Sequence, residues 1–469
     1  MNPRLPRGPR GFRPSHLVQR RLRALGFAKK HEWLARNLGK EIGFVTYEML
    51  EPCGTPVTST GAFELLGSYN WRRRTKQEPP QIFVPGEAPG LVPHKLPLKT
   101  RLVAKGKSFR DVNAALMPAF PFEPMFRAVG VMRPGFKFDD VDLVINRSSL
   151  HHLLRLADEG RCKDAFRLDL AMVNDTLIVT PLWKRVTDQG NYGRVFEQYF
   201  TRHSHGLKES QSHHRAIRYD LGPLKVVVLC EVDAACSGIP SSWAARNWSV
   251  EEAKPKEQEV TTAASGAATF ALGAKPLEIP TAAEVALFAA IKKKAFGGII
   301  DPGASSRVTH LGRGTLSAHT AELATMQRFG KKSKIPQMWL GRTPYLIESL
   351  HQANIFTNVK VTHCAAQLLA YEKDHQTTLQ KLVTAIKILT HFTSRAPNRH
   401  GIAVCTKAPR TLRVFEAADR PDSPVPLGLQ RRFWDSDRTA RGGEAGIVRK
   451  LASMPQGDQS LGEELAGLG

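Results

Sequence analysis

Apolar positions are grouped most tightly around Lys225–Asp233. There Val226 to Leu229 form a continuous run with three β-branched residues, between Gly222-Pro223 and Ser237-Gly238. This predicts a buried central strand. It closes on Glu231 and Asp233, and residues two apart in a strand share a face. Two like charges at one spot favour a cation between them, and hard divalent ions take carboxylate oxygens. The other reading is a strand run out into solvent, where Glu and Asp are ordinary.

The remaining pattern is mixed. Val141–Ile145 predicts a strand. Ser148 or Ser149 then suits the N-cap of a helix with Leu150, Leu153, Leu154 and Ala157 on one face, stopped by Gly160. Phe166, Leu168, Leu170 and Met172 alternate with more polar positions, so a half-buried strand is expected, with a turn at Asn174-Asp175 and a return over Thr176–Trp183. Arg215–Asp220 should pair with Lys225–Asp233 around Gly222-Pro223. Glu197, Glu231, Asp233 and Glu322 are read as strand-end acids. Gln77–Pro97 reads as extended coil and His203–Arg215 as a polar loop. Thr315–Leu323 is strand-like, Pro336 suits a helix start, and Asn358–Cys364 reads as a short strand. Gln376–Thr393 is the clearest helix, with Leu379, Leu382, Val383, Ile386 and Leu389 at 3/4 spacing before Pro397.

The expected fold class is α+β: a mixed central sheet with flanking helices. The expected organisation is a basic, largely disordered arm over residues 1–38 and one domain over 39–396. That domain carries an Ala-rich insertion near 244–296, and a mostly disordered basic tail follows over 397–469. Met1–Lys30 holds no acidic residue and several arginines, as a mitochondrial transit segment would. Pro3, Pro6, Pro9 and Pro14 favour a basic arm instead. The expected location is nucleus or cytoplasm, with mitochondrial import as the alternative.

Charge sharpens the picture. Lysine and arginine number 67 against 43 acids in 469 residues, a net charge of +24. Such an excess suits a polyanionic partner, nucleic acid above all. Six cysteines without a C-x-x-C pair exclude a zinc ribbon and a disulfide scaffold. No apolar run approaches the roughly 20 residues of a membrane span. The four histidines of His203–Arg215 match no standard metal motif. Asp139-Asp140-Val141-Asp142 lacks the helical spacing of a diphosphate-binding site.

Arg147, Glu197, Glu231-Val232-Asp233 and Glu322 stand in an order that suggests a metal-assisted phosphate site. Acids would hold divalent ions, and an arginine fork would match a phosphate. This order resembles the DXO/Rai type of RNA decapping nucleases, including their divergent fungal branch, over roughly residues 40–395. The arginine motif is similar to Asn146-Arg147-Ser148-Ser149-Leu150, with the hairpin Asp175-Thr176-Leu177-Ile178 after it. The G-Φ-x-Φ-E motif resembles Gly193-Arg194-Val195-Phe196-Glu197, E-Φ-D matches Glu231-Val232-Asp233, and E-Φ-K is partly matched by Glu322-Leu323-Ala324. The family's helical glutamine resembles Gln337 in Pro336–Gly341. Glu41–Phe44 and Leu66–Tyr69 look like its N-terminal strands.

The resemblance implies a fold related to the PD-(D/E)XK nucleases. It implies Mg²⁺- or Mn²⁺-dependent chemistry at RNA 5′ ends: removal of incomplete caps, pyrophosphohydrolysis and 5′–3′ exonuclease action. Glu197, Asp233 and Glu322 would hold metal, Glu231 would orient the attacking water, and Arg147 and Gln337 would contact substrate. A 5′–3′ exoribonuclease is the implied partner. Ala324 departs from the pattern, because the family carries a lysine there. Losing a cation aimed at the transition state costs about 10²–10³ in rate. Lys331, Lys332 or Lys334 is the candidate replacement; the alternative is a catalytically impaired RNA- or partner-binding protein on the same fold.

Overall fold

The computed structural model describes residues 33–61, 63–73, 79–101, 106–109, 111–159, 165–181, 185–188, 192–236, 248–252, 306–327, 334–352, 354–405, 411–418 and 423–435. Two large mixed sheets and flanking helices make an α+β architecture. The larger sheet has eleven strands, in the order Leu38–Val45, Leu412–Ala417, His400–Cys405, Phe166–Val173, Thr176–Pro181, Leu143–Asn146, Leu224–Glu231, Ser210–Leu221, Glu64–Arg72, Gln81–Pro85 and Arg307–Leu311. The second, of eight strands, is built around Thr320–Met326, Tyr345–Gln352 and Ile355–His363.

The Leu224–Glu231 strand lies inside the larger sheet, parallel to Leu143–Asn146 and antiparallel to Ser210–Leu221. Val226, Val228 and Cys230 face a core that includes Leu150, Leu153 and Leu154 of the helix Arg147–Ala157. That core also takes Leu379, Leu382, Val383 and Ile386 of the helix Gln376–Arg395. Val227 and Leu229 face the opposite core, with Met125, Phe126, Leu429 and Phe433. A strand covered on both faces has no polar side, which explains the uninterrupted apolar run.

Several expectations change. Phe166–Val173 is almost wholly buried rather than half-buried. Its Arg167 pairs with Asp169 at 2.7 Å and donates to the Leu34 carbonyl at 3.2 Å, so the N-terminal segment covers that face. The N-cap of Arg147–Ala157 is Asn146, whose side chain accepts from the Ser149 N–H at 2.9 Å, and not Ser148 or Ser149. His213, His214 and Arg215 lie buried in the Ser210–Leu221 strand, not in a loop, because Glu64–Arg72 and Leu224–Glu231 pair with it on both sides. Gln81–Pro85 is a strand within the segment expected to be coil.

Domain boundaries move too. His400–Cys405 and Leu412–Ala417 form an antiparallel pair that extends the larger sheet, and the helix Leu427–Phe433 closes the core holding Phe126 and Phe138. The folded region therefore reaches Asp435, well past residue 396, and it begins by Leu34, which is buried. Short apolar clusters among many arginines hide these strands from a reading by periodicity. Within the expected insertion, Trp248–Glu252 is a strand parallel to Ile355–His363, so the second sheet claims it. The rest of the insertion, the arm over residues 1–32, Gly160, Lys331 and Lys332 lie outside the described residues.

Candidate functional site

Glu231-Val232-Asp233 joins the two sheets. Glu231 ends its strand in the larger sheet. Immediately afterwards Ala234 and Ala235 pair with Ala321 and Thr320 of the second sheet. Asp233 lies between, and its Oδ2 accepts the Leu323 N–H at 3.0 Å. Asn146 stands beside Leu229 in the parallel register, so Arg147, the next residue, opens its helix at the same sheet end as Glu231.

Glu322, buried in Thr320–Met326, is surrounded by donors. Arg147 Nη1 donates to its Oε2 at 2.9 Å, Lys334 Nζ to its Oε1 at 3.2 Å, and Gln337 Nε2 also to Oε1. Lys334 is the N-cap of the short helix Ile335–Gly341 that carries Gln337. Ala324 sits on the same strand face as Glu322 but packs into the apolar core. Lys334, at the start of a helix rather than on the strand, is thus a cation that meets Glu322 beside Arg147.

The other acids are compensated differently. Burial raises the Glu231 carboxyl to about 8, and Asp233, Glu197 and Asp111 add to the rise against the pull of Arg147. Burial also raises Asp233 to about 8, with Glu322 and Glu197 adding, while Arg147 and the Leu323 N–H oppose. Glu231 retains accessible surface, yet protein and other carboxyls surround it closely enough that this environment governs its proton affinity. Burial raises Glu197 too, against Arg194. For Arg147, burial works against the charge, but Glu322, Cys230, Asp233 and Glu231 outweigh it and raise its pKa.

Glu197 is not at a strand end. It sits, half-buried, on the helix Tyr192–Phe200, whose Val195, Phe196 and Phe200 pack into the core of the second sheet. Glu322 lies within a strand rather than at its end. The expected residues therefore meet in one electrostatic neighbourhood, from two strands, the link after one of them and three helices. Ligation is a stricter condition. Among the described residues, no three His, Cys, Asp or Glu side chains stand close enough to hold one ion, the four-histidine segment included. The carboxylate donors fit a hard divalent ion in kind and charge, while Glu322 is engaged by Arg147, Lys334 and Gln337.

Asp111 escaped the sequence reading. It N-caps the helix Val112–Leu116 through the Ala114 N–H at 2.8 Å, and its Oδ2 accepts from Asn146 Nδ2 at 2.7 Å. It thereby fixes the residue that precedes Arg147. The signal was present: an aspartate directly before a helix-compatible segment.

No curated protein matches the chain in sequence. A family profile does, over residues 40–301 and 304–434; it describes a domain of unknown function, DUF8563. The chain belongs to the DUF8563 family. Among solved structures, this DUF8563 chain is similar to a mutant S. pombe Rai1 in complex with 3′-FADP. Identity is 9%, TM-score 0.47, and the match covers 80% of this chain and 98% of the other. It is similar to Candida albicans Rai1 in complex with pU5 and Mn²⁺ at 11% identity and TM-score 0.42, covering 81% and 98%. The corresponding values for K. lactis Dxo1 in complex with manganese are 8%, 0.41, 83% and 99%.

Proposed function

We propose that the joint between the two sheets is the reaction centre of a divalent-metal-dependent hydrolase acting on RNA 5′ ends. The observation that carries this reading is the gathering of Glu197, Glu231, Asp233 and Glu322 beside Arg147, Lys334 and Gln337, where neighbouring carboxyls add to the proton affinity of Glu231 and Asp233. The order of the short motifs around those residues supports it, as does the excess of basic residues.

By the resemblance, Glu197, Asp233 and Glu322 would hold the ion, although no three of the described acids converge closely enough to share one here; a bound ion would supply Lewis acidity toward a phosphate oxygen and acidify water. The protein's own groups do the rest. The Leu323 N–H fixes Asp233 in orientation. Arg147 gives one nitrogen to Glu322 and has further donors in its planar fork for a phosphate. Lys334 and Gln337 hold Glu322 from the other side. Glu231, once deprotonated, would orient the attacking water. A location in nucleus or cytoplasm and a 5′–3′ exoribonuclease partner belong to the same reading.

A second reading, binding without turnover, draws on Ala324 and on the engagement of Glu322 by three donors. Turnover of 5′-triphosphate, 5′-monophosphate and capped RNA in Mn²⁺ or Mg²⁺ separates the two. Cleavage by wild type that is lost in Asp233→Ala supports the hydrolase. Cleavage only by Ala324→Lys supports an impaired relative. RNA binding with no cleavage by any variant leaves the binding protein.

A further inference from the structure

Beside the proposed reaction centre lies a buried polar assembly that the chemistry above leaves unused. The strand Glu64–Arg72 carries Tyr69 and Trp71, both fully buried. Asn113, in the short helix Val112–Leu116, accepts at Oδ1 from the Tyr69 hydroxyl at 2.6 Å and from Trp71 Nε1 at 2.8 Å. Burial, then Asp111 and Glu231, raises the Tyr69 hydroxyl, so the assembly reaches the edge of the site. Asp111 caps the same helix through the Ala114 N–H at 2.8 Å, and its other oxygen accepts from Asn146 Nδ2 at 2.7 Å. Asn146, itself buried, accepts at Oδ1 from the Ser149 N–H at 2.9 Å and so caps the helix that opens on Arg147. Two helix N-termini are joined through one carboxylate and one amide.

The join is directional. A carboxylate only accepts, whereas an amide has one accepting and one donating end. With Asp111 at its Nδ2, Asn146 has only Oδ1 to offer Ser149. The reversed amide would set oxygen against oxygen on one side and N–H against N–H on the other. A serine or threonine at residue 146 would cap the helix without any partner. The carboxylate also runs against local preference. Burial raises Asp111, and Asp111 in turn adds to the rise at Glu231. An acid set beside other acids disfavours its own charge, and capping alone does not ask for it.

What the join secures is the start of Arg147–Ala157. We propose that Asp111 is a positioning residue of the reaction centre: by fixing the Asn146 amide it sets how Arg147 leaves its helix, and so holds the guanidinium where Glu322 takes one nitrogen and a phosphate can take others. The proposal rests on the reading above, in which Arg147 meets a phosphate. Asp111 acts only through Asn146 and Arg147. Arg147 has to meet Glu322, 175 residues on, at 2.9 Å, and its side chain is long enough to miss.

The test exchanges the two partners. Asp111→Asn sets two amides face to face. Asp111→Asn with Asn146→Asp restores one donor and one acceptor and keeps both caps. The first readout needs no activity: the coupling of Arg147 to Glu322 in urea unfolding, from Arg147→Met and Glu322→Leu singly and together in each background. It should fall by about half in Asp111→Asn and return in the exchanged pair. Asn146→Ser, which keeps a cap but drops the link, serves should Asp111→Asn fail to fold, and should lose the same coupling. The second readout is turnover of 5′-monophosphate RNA in Mn²⁺. There kcat should fall about tenfold in Asp111→Asn and recover in the exchanged pair. A lower melting temperature with the coupling intact makes Asp111 a structural cap only and overturns the proposal. So does an exchanged pair that regains melting temperature but neither coupling nor kcat. Wild type that turns over no RNA, with the coupling lost and regained as stated, overturns the reaction-centre reading while the positioning of Arg147 stands.

Discussion

Glu322 and the pair Glu231/Asp233 answer the same problem in opposite ways. Each stands at the meeting of two sheets, Glu322 buried, Asp233 half-buried and Glu231 exposed. Glu322 is neutralised by neighbours, through Arg147, Lys334 and Gln337. Glu231 and Asp233 instead have their proton affinity raised, to about 8, by burial and by neighbouring carboxyls. One side is a finished ion-pair network. The other is a place where neighbouring carboxyls disfavour one another's charge. A divalent ion would displace protons on one side and compete with Arg147 and Lys334 on the other.

The largest expected effect breaks the protonated side. Asp233→Asn keeps an acceptor for the Leu323 N–H but removes the charge. RNA turnover should fall about 10³-fold, about 4 kcal/mol of activation free energy. The stabilisation by Mn²⁺ in a thermal melt should vanish with it; a variant that still hydrolyses RNA near the wild-type rate would remove Asp233 from the chemistry.

Next comes the paired side. Arg147→Met leaves Glu322 buried with only Lys334 and Gln337. Urea unfolding should show a loss of about 3 kcal/mol, the lower end of the cost of breaking a buried pair. Arg147→Met with Glu322→Leu should recover most of it. Failure of that rescue would mean the arginine stabilises through packing rather than charge.

Proton linkage sharpens the contrast further. Glu231 and Asp233 bind protons more tightly folded than unfolded, so their contribution to stability is full below about pH 4 and is lost as pH rises toward about 8. The buried, neutral His213 and His214, lowered by burial, act in the opposite sense below 6.5. Between pH 6.5 and 8 the metal-free protein should therefore lose stability, and the Mn²⁺-induced rise in melting temperature should be larger at pH 8 than at pH 6.5. A metal shift of equal size at both values would disconnect the ion from these carboxyls. The smallest effect belongs to Lys334→Met. Its ammonium is partly exposed, so the stability change should stay within about 1 kcal/mol, while turnover falls if Lys334 supplies the cation absent at residue 324.

What was legible in the sequence was local. Val226–Leu229 announced a strand covered on both faces. Leu379, Leu382, Val383, Ile386 and Leu389 announced a helix, and the spacing of Glu231-Val232-Asp233 announced two carboxyls close together at the end of that strand. What failed depended on distant partners. His213 looks like loop because its neighbours are polar; it is buried because Asn70, 143 residues earlier, holds its Nδ1 at 2.6 Å. Glu197 was misplaced because Arg-Val-Phe reads as easily as a strand as it does as a helix turn, and only packing against the second sheet decides. Lys334 could be suggested as a replacement cation, but its contact with Glu322 is a fact of three dimensions.

The joint between the sheets also has a consequence for how the chain folds. Arg147 and Glu322 are 175 residues apart, and Asp233 and Leu323 are 90 apart. Contacts of such span form only after long loops close, and their entropy must be lost before any attraction rewards it. On this argument the acids should be brought together late in assembly, after each sheet has formed. The cost of bringing them out of water would then fall beyond the main folding barrier. It would hasten unfolding and leave the rate of folding almost untouched.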